Sequence, residues 1–254
     1  LIDCEAERLS TEESADRILE YDAKINCFVV YGQQPSASTQ NMVGSIDTAE
    51  HIKRIQPDAR TLFVGGHISA LPREVLKHDC VDLVCQNEGV YTISDLLSVD
   101  NLDDTSVLSK VKGLGYKENG VGILNSPQVI VPKSKLAIDL PGMAWDLLPD
   151  MKNYRTSGWH SYTNNTEPSP FGSLYTSLGC PYKCSFCMIN IINRTDNTYG
   201  VASDKSNKFR YWDPEFTITQ FDNLAKLGVK NVKIADELFV LNPRHFIKVC
   251  ELLA

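Results

Sequence analysis

The segment GCPYKCSFC carries three of the chain's eight cysteines, Cys180, Cys184 and Cys187, at a C-x3-C-x2-C spacing. Thiolates this close together can wrap a single metal centre, and two chemistries compete for them. Structural zinc closes its shell with four ligands, typically from two CxxC-like knuckles. Only Cys184 and Cys187 form such a pair, so His160 or Cys250 would have to complete the set. A cubane iron–sulfur cluster held by three thiolates instead leaves one iron without a protein ligand. That iron could chelate a small molecule and pass it an electron, much as catalytic metal sites keep one position open. The remaining cysteines, Cys4, Cys27, Cys80, Cys85 and Cys250, are scattered, which fits a reducing compartment with one metal site better than a disulfide framework.

A cysteine loop needs a scaffold, and strand and helix signals flank it. SLYTSL (173–178) reads as a strand running straight into the loop. Asp213-Pro214-Glu215 opens a helix, cap and then proline, which runs to Leu227 and stops at Gly228. NVKIAD (231–236) reads as the next strand, and Asn242-Pro243 opens a last helix with Phe246, Ile247, Cys250 and Leu253 facing inward. Strand, helix, strand, helix is the start of a TIM-like β/α barrel over residues 171–254. A whole barrel needs about 200 residues or more, and about eighty follow Ser173. The chain also begins without Met and finishes inside a helix, so the expectation is a fragment truncated at both ends.

Residues 1–100 alternate helix and strand patterns. Ser10 to Glu13 form a capping box, CFVVYG (27–32) and RTLFVGG (60–66) are buried-strand runs, a helix covers roughly 45–55, and PREVLKH (72–78), DLVCQ (82–86) and VYTISDLL (90–97) follow as helix, strand and helix. This order predicts an α/β fold with a doubly wound, Rossmann-like parallel sheet. Ligands of such sheets sit outside the carboxyl ends of the strands. That singles out Ser36, Ser38 and Thr39 after the first strand, Gly65 and Gly66 after the second, and Glu88 and Gly89 after the third. Glycines allow close backbone approach and hydroxyls offer donors, although a turn-forming loop explains the same residues. Residues 101–170 read as a small meander and then a connector rich in Pro, Gly, Asn and aromatics, whose Trp145, Tyr154, Trp159 and His160 either line a cleft or dock the segment.

Composition narrows the class. Hydrophobic content of 43% and charged content of 22% are those of a globular protein with a sizeable core. A net charge of −7 with scattered Lys and Arg offers no stripe to neutralise phosphates, which argues against nucleic acid. Neither a membrane-spanning run nor a signal peptide is present in the sequence, so the expected location is the cytoplasm.

The cysteine spacing, the aromatic Phe186 before the last cysteine and the preceding strand together resemble the signature of the radical S-adenosylmethionine enzymes. The resemblance implies a 4Fe-4S cluster on Cys180, Cys184 and Cys187, with the open iron taking the amino and carboxylate groups of S-adenosylmethionine and reductive cleavage giving a 5′-deoxyadenosyl radical. Phe186 would pack beside the nucleoside. Asp236 or Glu237, at the end of the second barrel strand in IADELF, would hold the methionine amino group; a solvated turn pair or helix cap explains the same residues.

Upstream, GGH after one strand, an Asn87-Glu88-Gly89 turn after the next, and LPGMAWDLLPDMKNYRTSGWH leading into the cysteines are similar to the cobalamin-binding subgroup of that family. Cobalamin is thereby implied, held by the Rossmann-like sheet through the loop residues named above. Two departures are expected from the resemblance: Asn87 replaces the first glycine of a common Gly-Glu-Gly, and the first strand and loop of the cobalamin domain are missing; the Asp-x-His-x-x-Gly motif that supplies an axial histidine elsewhere is absent from what remains. His67 is accordingly read as a loop-stabilising residue.

The reading that follows is a cobalamin-dependent methyltransferase, with a radical cyclase or rearrangement enzyme as the alternative inside the family. A reductant such as flavodoxin or ferredoxin and a small-molecule or peptide substrate are its implied partners. A metal-stabilised binding protein or an iron–sulfur electron carrier is the alternative outside it.

Overall fold

The computed structural model describes residues 1–31, 37–156, 170–182, 184, 187, 189–193 and 209–254. They form two compact units, one from Ser10–Val131 with Gly179–Lys208 and one from Leu1–Leu9, Pro132–Leu178 and Phe209–Ala254. No helix among the described residues is long and apolar enough to cross a membrane.

The first unit is built on a five-stranded sheet in the order β1-β2-β3-β4-β5. Strands β1 (Asn26–Val30), β2 (Thr61–Gly65) and β3 (Leu83–Cys85) are parallel, whereas β4 (Leu114–Glu118) and β5 (Val121–Leu124) continue the sheet as an antiparallel hairpin. Asn119 and Gly120 both have positive φ, which is what a two-residue primed turn between strands requires. The meander expected after residue 100 therefore completes the first sheet. Among the described strands the order is sequential, so a ligand would be placed by the strands' carboxyl ends and not by a reversal of strand order.

Alternate side chains of β2 and β3 point to opposite faces, as the period of two dictates. Phe63 and Val84 join Val30, Met42, Ile68, Val75 and Val81 on one face; Leu62, Val64, Leu83 and Cys85 join Leu96, Leu108, Val111 and Leu114 on the other. Helices α2 (Ala37–Ile55), α3 (Gly66–Ala70) and α4 (Pro72–Val75) contribute to the first layer, α5 (Val90–Leu97) and α6 (Thr105–Leu108) to the second. The predicted capping box at Ser10 and Glu13 is present and opens α1 (Thr11–Leu19), which packs on α2 through Ala15 and Ile52.

Helix α2 starts eight residues before the expected 45, so Ser38 and Thr39 lie in its first turn and not in a loop. Its early turns are polar and contain Gly44, which hides the helical period from the sequence. Gly66 likewise begins α3. Gly65 has φ of 147°, and a Cβ there would stand 2.1 Å from the Val30 carbonyl oxygen. Backbone cannot yield that distance, so Gly65→Ala is expected to cost about 3 kcal/mol or more, read as a lower urea midpoint.

The second unit holds a parallel pair, β6 (Phe171–Leu174) with β9 (Asn231–Ile234), and an antiparallel pair, β7 (Ser177–Leu178) with β8 (Arg210–Tyr211). Helix α9 (Pro214–Lys226) lies between β8 and β9 in the chain and stops at Gly228, whose positive φ ends it as expected. A short helix, α7 (Leu136–Asp139), precedes β6, and α10 (Pro243–Leu253) follows β9. The connector aromatics Trp145 and Tyr154 dock on the cluster of Met151, Leu174, Leu224 and Val229. Trp159 and His160 lie outside the described residues.

Two expectations for this unit are corrected. The strand read over 173–178 breaks after Leu174, because the Thr176 amide donates to a side chain, Asp236, instead of continuing the β6 ladder. In α10 the buried residues are His245 and Val249, one turn apart, whereas Ile247, Cys250 and Leu253 are exposed. Apolar spacing pointed to the wrong stripe because a polar residue, His245, is drawn inward by a hydrogen bond to Thr176.

Candidate functional site

The carboxyl ends of β1, β2 and β3 bring several of the singled-out residues together. Ser38 donates from Oγ to the Val30 carbonyl at 2.5 Å and accepts from the His67 amide at 3.0 Å. The hydroxyl proposed as a ligand donor is thus consumed in tying the end of β1 to the start of α3. Thr39, which is exposed, places Oγ1 3.0 Å from His67 Nδ1. The pair bridges the first turn of α2 and α3, and burial, reinforced by the charge of His78, pushes the His67 pKa down. Ser36 lies outside the described residues.

The turn after β3 explains the departure from Gly-Glu-Gly. Asn87 has φ of 60° and Gly89 φ of 79°, so both outer positions are left-handed, and Asn is the residue that tolerates this best after glycine. Asn87 is buried, with its amide held by Ser69 Oγ at 3.0 Å and its Nδ2 donating to Gln128 O at 3.2 Å. Glu88 accepts from the Val131 amide at 2.8 Å, which makes its carboxylate a clamp on the segment after the hairpin. Gly89 caps α5 and leaves no room for a side chain, since a Cβ would meet Val64 at 3.0 Å and Cys85 at 3.2 Å. At these strand ends Gly65, Gly66 and Gly89 are buried against their own neighbours, and of the residues singled out the exposed polar side chain is Thr39 beside His67.

The cysteine loop belongs to the same unit. Gly179, at φ of 83°, turns the chain out of β7. Cys180 is half-buried, and Cys184 and Cys187 are exposed and spanned by one turn, the Cys187 amide donating to the Cys184 carbonyl at 3.1 Å. Asn190 closes the loop by donating to the Tyr182 carbonyl at 2.8 Å. The loop ends in a short helix, α8 (Ile189–Ile192), which packs against α3. The helix that follows the cysteines and the helix that begins at Gly66, far apart in sequence, therefore meet.

Among the described residues no group of three His, Cys, Asp or Glu side chains is gathered so as to hold a metal ion. The donor chemistry still fits a three-thiolate site: all three sulfurs are free thiols on one short loop, and metal binding ordinarily draws its ligands together as it orders them. Phe186 lies outside the described residues. Cys250, the alternative zinc ligand, is exposed on α10.

In the second unit, Asp236 and Glu237 stand after β9 as expected, but they do different work. Asp236 Oδ1 accepts from the Thr176 amide at 2.6 Å, and Oδ2 accepts from Thr176 Oγ1 and Ser177 Oγ, each at 2.6 Å. Thr176 and Ser177 are almost fully buried. Asp236 is thus a strut that ties the end of β9 to Thr176, between β6 and β7, and to Ser177 at the start of β7. Glu237 is exposed; desolvation by the surrounding protein, and then the like charge of Asp236, push its carboxyl above the usual range. Of the two acids it is the one available to a cationic group. Thr176, Ser177 and His245 were missed by sequence reasoning, since they lie 59 to 69 residues from the partners that give them a role.

No protein-family model matches the chain. A protein of Pyrococcus horikoshii described as an uncharacterized methyltransferase is 27% identical over 251 residues, which are 98% of this chain and 47% of that protein. Among solved structures, the cobalamin-dependent S-adenosylmethionine radical enzyme OxsB superposes over 95% of this chain and 30% of its own, with a TM-score of 0.62 at 20% identity. The radical S-adenosylmethionine methyltransferase TsrM from Kitasatospora setae, solved with cobalamin and a 4Fe-4S cluster bound, superposes over 95% of this chain and 43% of its own, with a TM-score of 0.58 at 15% identity. The chain thus shares the fold of cobalamin-dependent radical S-adenosylmethionine enzymes, the group that its cysteine loop resembles. It spans about half or less of the length of these relatives.

Proposed function

We propose that this chain is the cobalamin-binding portion and barrel start of a radical S-adenosylmethionine methyltransferase. The observation that carries the reading is the C-x3-C-x2-C loop leaving β7 in a chain with this fold. Cys180, Cys184 and Cys187 would hold the 4Fe-4S cluster as thiolates. Backbone at Gly65, Gly66 and Gly89, with Thr39 and His67 beside it, would meet the polar edge of cobalamin, while Ser38 and Glu88 hold the loops that present it. Glu237 would take the methionine ammonium of S-adenosylmethionine, and Phe186 would pack beside its nucleoside. When bound, the cluster supplies the electron that cleaves S-adenosylmethionine to the 5′-deoxyadenosyl radical and cobalamin supplies the methyl group. The protein's own part is to place these groups and keep water from the radical. The electrons would come from a reductant such as flavodoxin or ferredoxin. The substrate would be a small molecule or peptide, and the compartment the cytoplasm.

Anaerobic reconstitution tests the reading. One cubane per chain, with an electron paramagnetic resonance spectrum that changes when S-adenosylmethionine is added, is the expected result. Zinc without labile sulfide would make the chain a structural module, and a cluster indifferent to S-adenosylmethionine would make it an electron carrier; either outcome overturns the proposal.

A further inference from the structure

The hydrogen bonds at Asp236 continue inward. Thr176 Oγ1 lies 2.6 Å from Asp236 Oδ2 and 3.1 Å from His245 Nε2. A hydroxyl carries one proton, and a carboxylate can only accept. The Thr176 proton is therefore given to Asp236, and the Thr176 oxygen accepts from His245. This settles the tautomer: Nε2 bears the hydrogen, and Nδ1 is left with a lone pair. Among the described residues Nδ1 is buried without a hydrogen-bond partner, so a second proton there would be a buried charged donor that none of them receives. Burial acts in the same direction, pushing the His245 pKa down against the opposing influence of Asp236. The ring is wedged by Tyr211, whose centroid is 4.9 Å away and whose own face is covered by Lys133 at 3.5 Å.

We propose that His245 and Thr176 form a positioning chain: His245 orients the Thr176 hydroxyl, Thr176 and Ser177 saturate Asp236, and Glu237 is thereby left as the acid aimed at a cationic ligand. The chain has a physical reason to exist. Two adjacent carboxylates at a strand end compete for one cation unless one of them is committed elsewhere. Three donors at 2.6 Å commit Asp236. A donor to Thr176 is what keeps its hydroxyl from turning away. The residues concerned come from three places, the β6–β7 junction, the end of β9 and the first turn of α10, so the chain also pins α10 to the strand ends.

The identity of the cation rests on the S-adenosylmethionine reading; the hydrogen-bond order does not. The test separates them. In chain labelled with nitrogen-15 histidine, with His245 assigned by its absence in H245F, the ring is expected as the neutral Nε2–H form at neutral pH. An Nδ1–H form or a doubly protonated ring overturns the hydrogen-bond order.

Binding of S-adenosylmethionine to the cluster-loaded chain, without reductant, then tests positioning. H245F keeps a ring but loses the donor and is expected to bind about tenfold more weakly; H245Q restores an N–H at the Nε2 place and should stay within about threefold. Equal affinity in the two variants overturns the positioning role. Should H245F fail to fold, T176V against T176S asks the same question of the hydroxyl. If E237Q leaves affinity unchanged, the ammonium assignment fails while the ring spectrum still decides the chain of hydrogen bonds.

Discussion

Replacing Cys184 by Ala is expected to abolish cluster assembly. After anaerobic reconstitution the native chain should carry about four iron and four sulfide per polypeptide, and C184A close to none, because two thiolates cannot hold a cubane on a solvent-exposed loop. Cys184 is exposed, so removing its sulfur leaves no cavity, and the variant should unfold at the native temperature. That separation of cluster loss from folding gives the result its meaning. C250A, on the exposed face of α10, should load normally. Full iron and sulfide content in C184A would remove it from the ligand set.

The second large effect is on stability. Asp236→Ala takes the acceptor from one amide and two hydroxyls belonging to residues that are 0% and 1% exposed. Unsatisfied buried donors cost about 1–3 kcal/mol each before relaxation, and hydroxyls can partly turn to new partners, so a loss of about 3–5 kcal/mol is expected. Tryptophan fluorescence during urea unfolding reads this directly, since Trp145 and Trp212 belong to the same unit as Asp236. Asp236→Asn retains one carbonyl acceptor and should lose less. A change below about 0.5 kcal/mol in D236A would mean that the strut is not needed to hold β6, β7 and β9 together.

Particular elements show why some of the site was legible in one dimension and some was not. The cysteine loop was readable because its three donors lie within a single turn-rich segment. The cap at Ser10 was readable for the same reason: its chemistry is settled by Glu13, three residues away. Glu237 was paired with Asp236 as an undivided alternative, because nothing in IADELF says which acid has donors aimed at it. Ser38 and Glu88 were singled out for a ligand, and no local pattern says that Ser38 sits in the first turn of α2 or that their oxygens bond the Val30 carbonyl, the His67 amide and the Val131 amide.

The sequence by itself determined what is local: three thiols in one loop, the strands β2 and β3 buried on both faces, the cap that opens α1 and the glycine that ends α9, whereas β1, read as buried, leaves Cys27 and Val29 exposed. Only the tertiary structure decided which polar groups are already spent. Hydrogen-bond capacity is finite and is claimed by whichever partner the fold brings within about 3 Å. Thr176, Asp236 and His245 span 70 positions along the chain yet share one proton order. No periodicity or spacing encodes that order; it arises where β6, β9 and α10 pack.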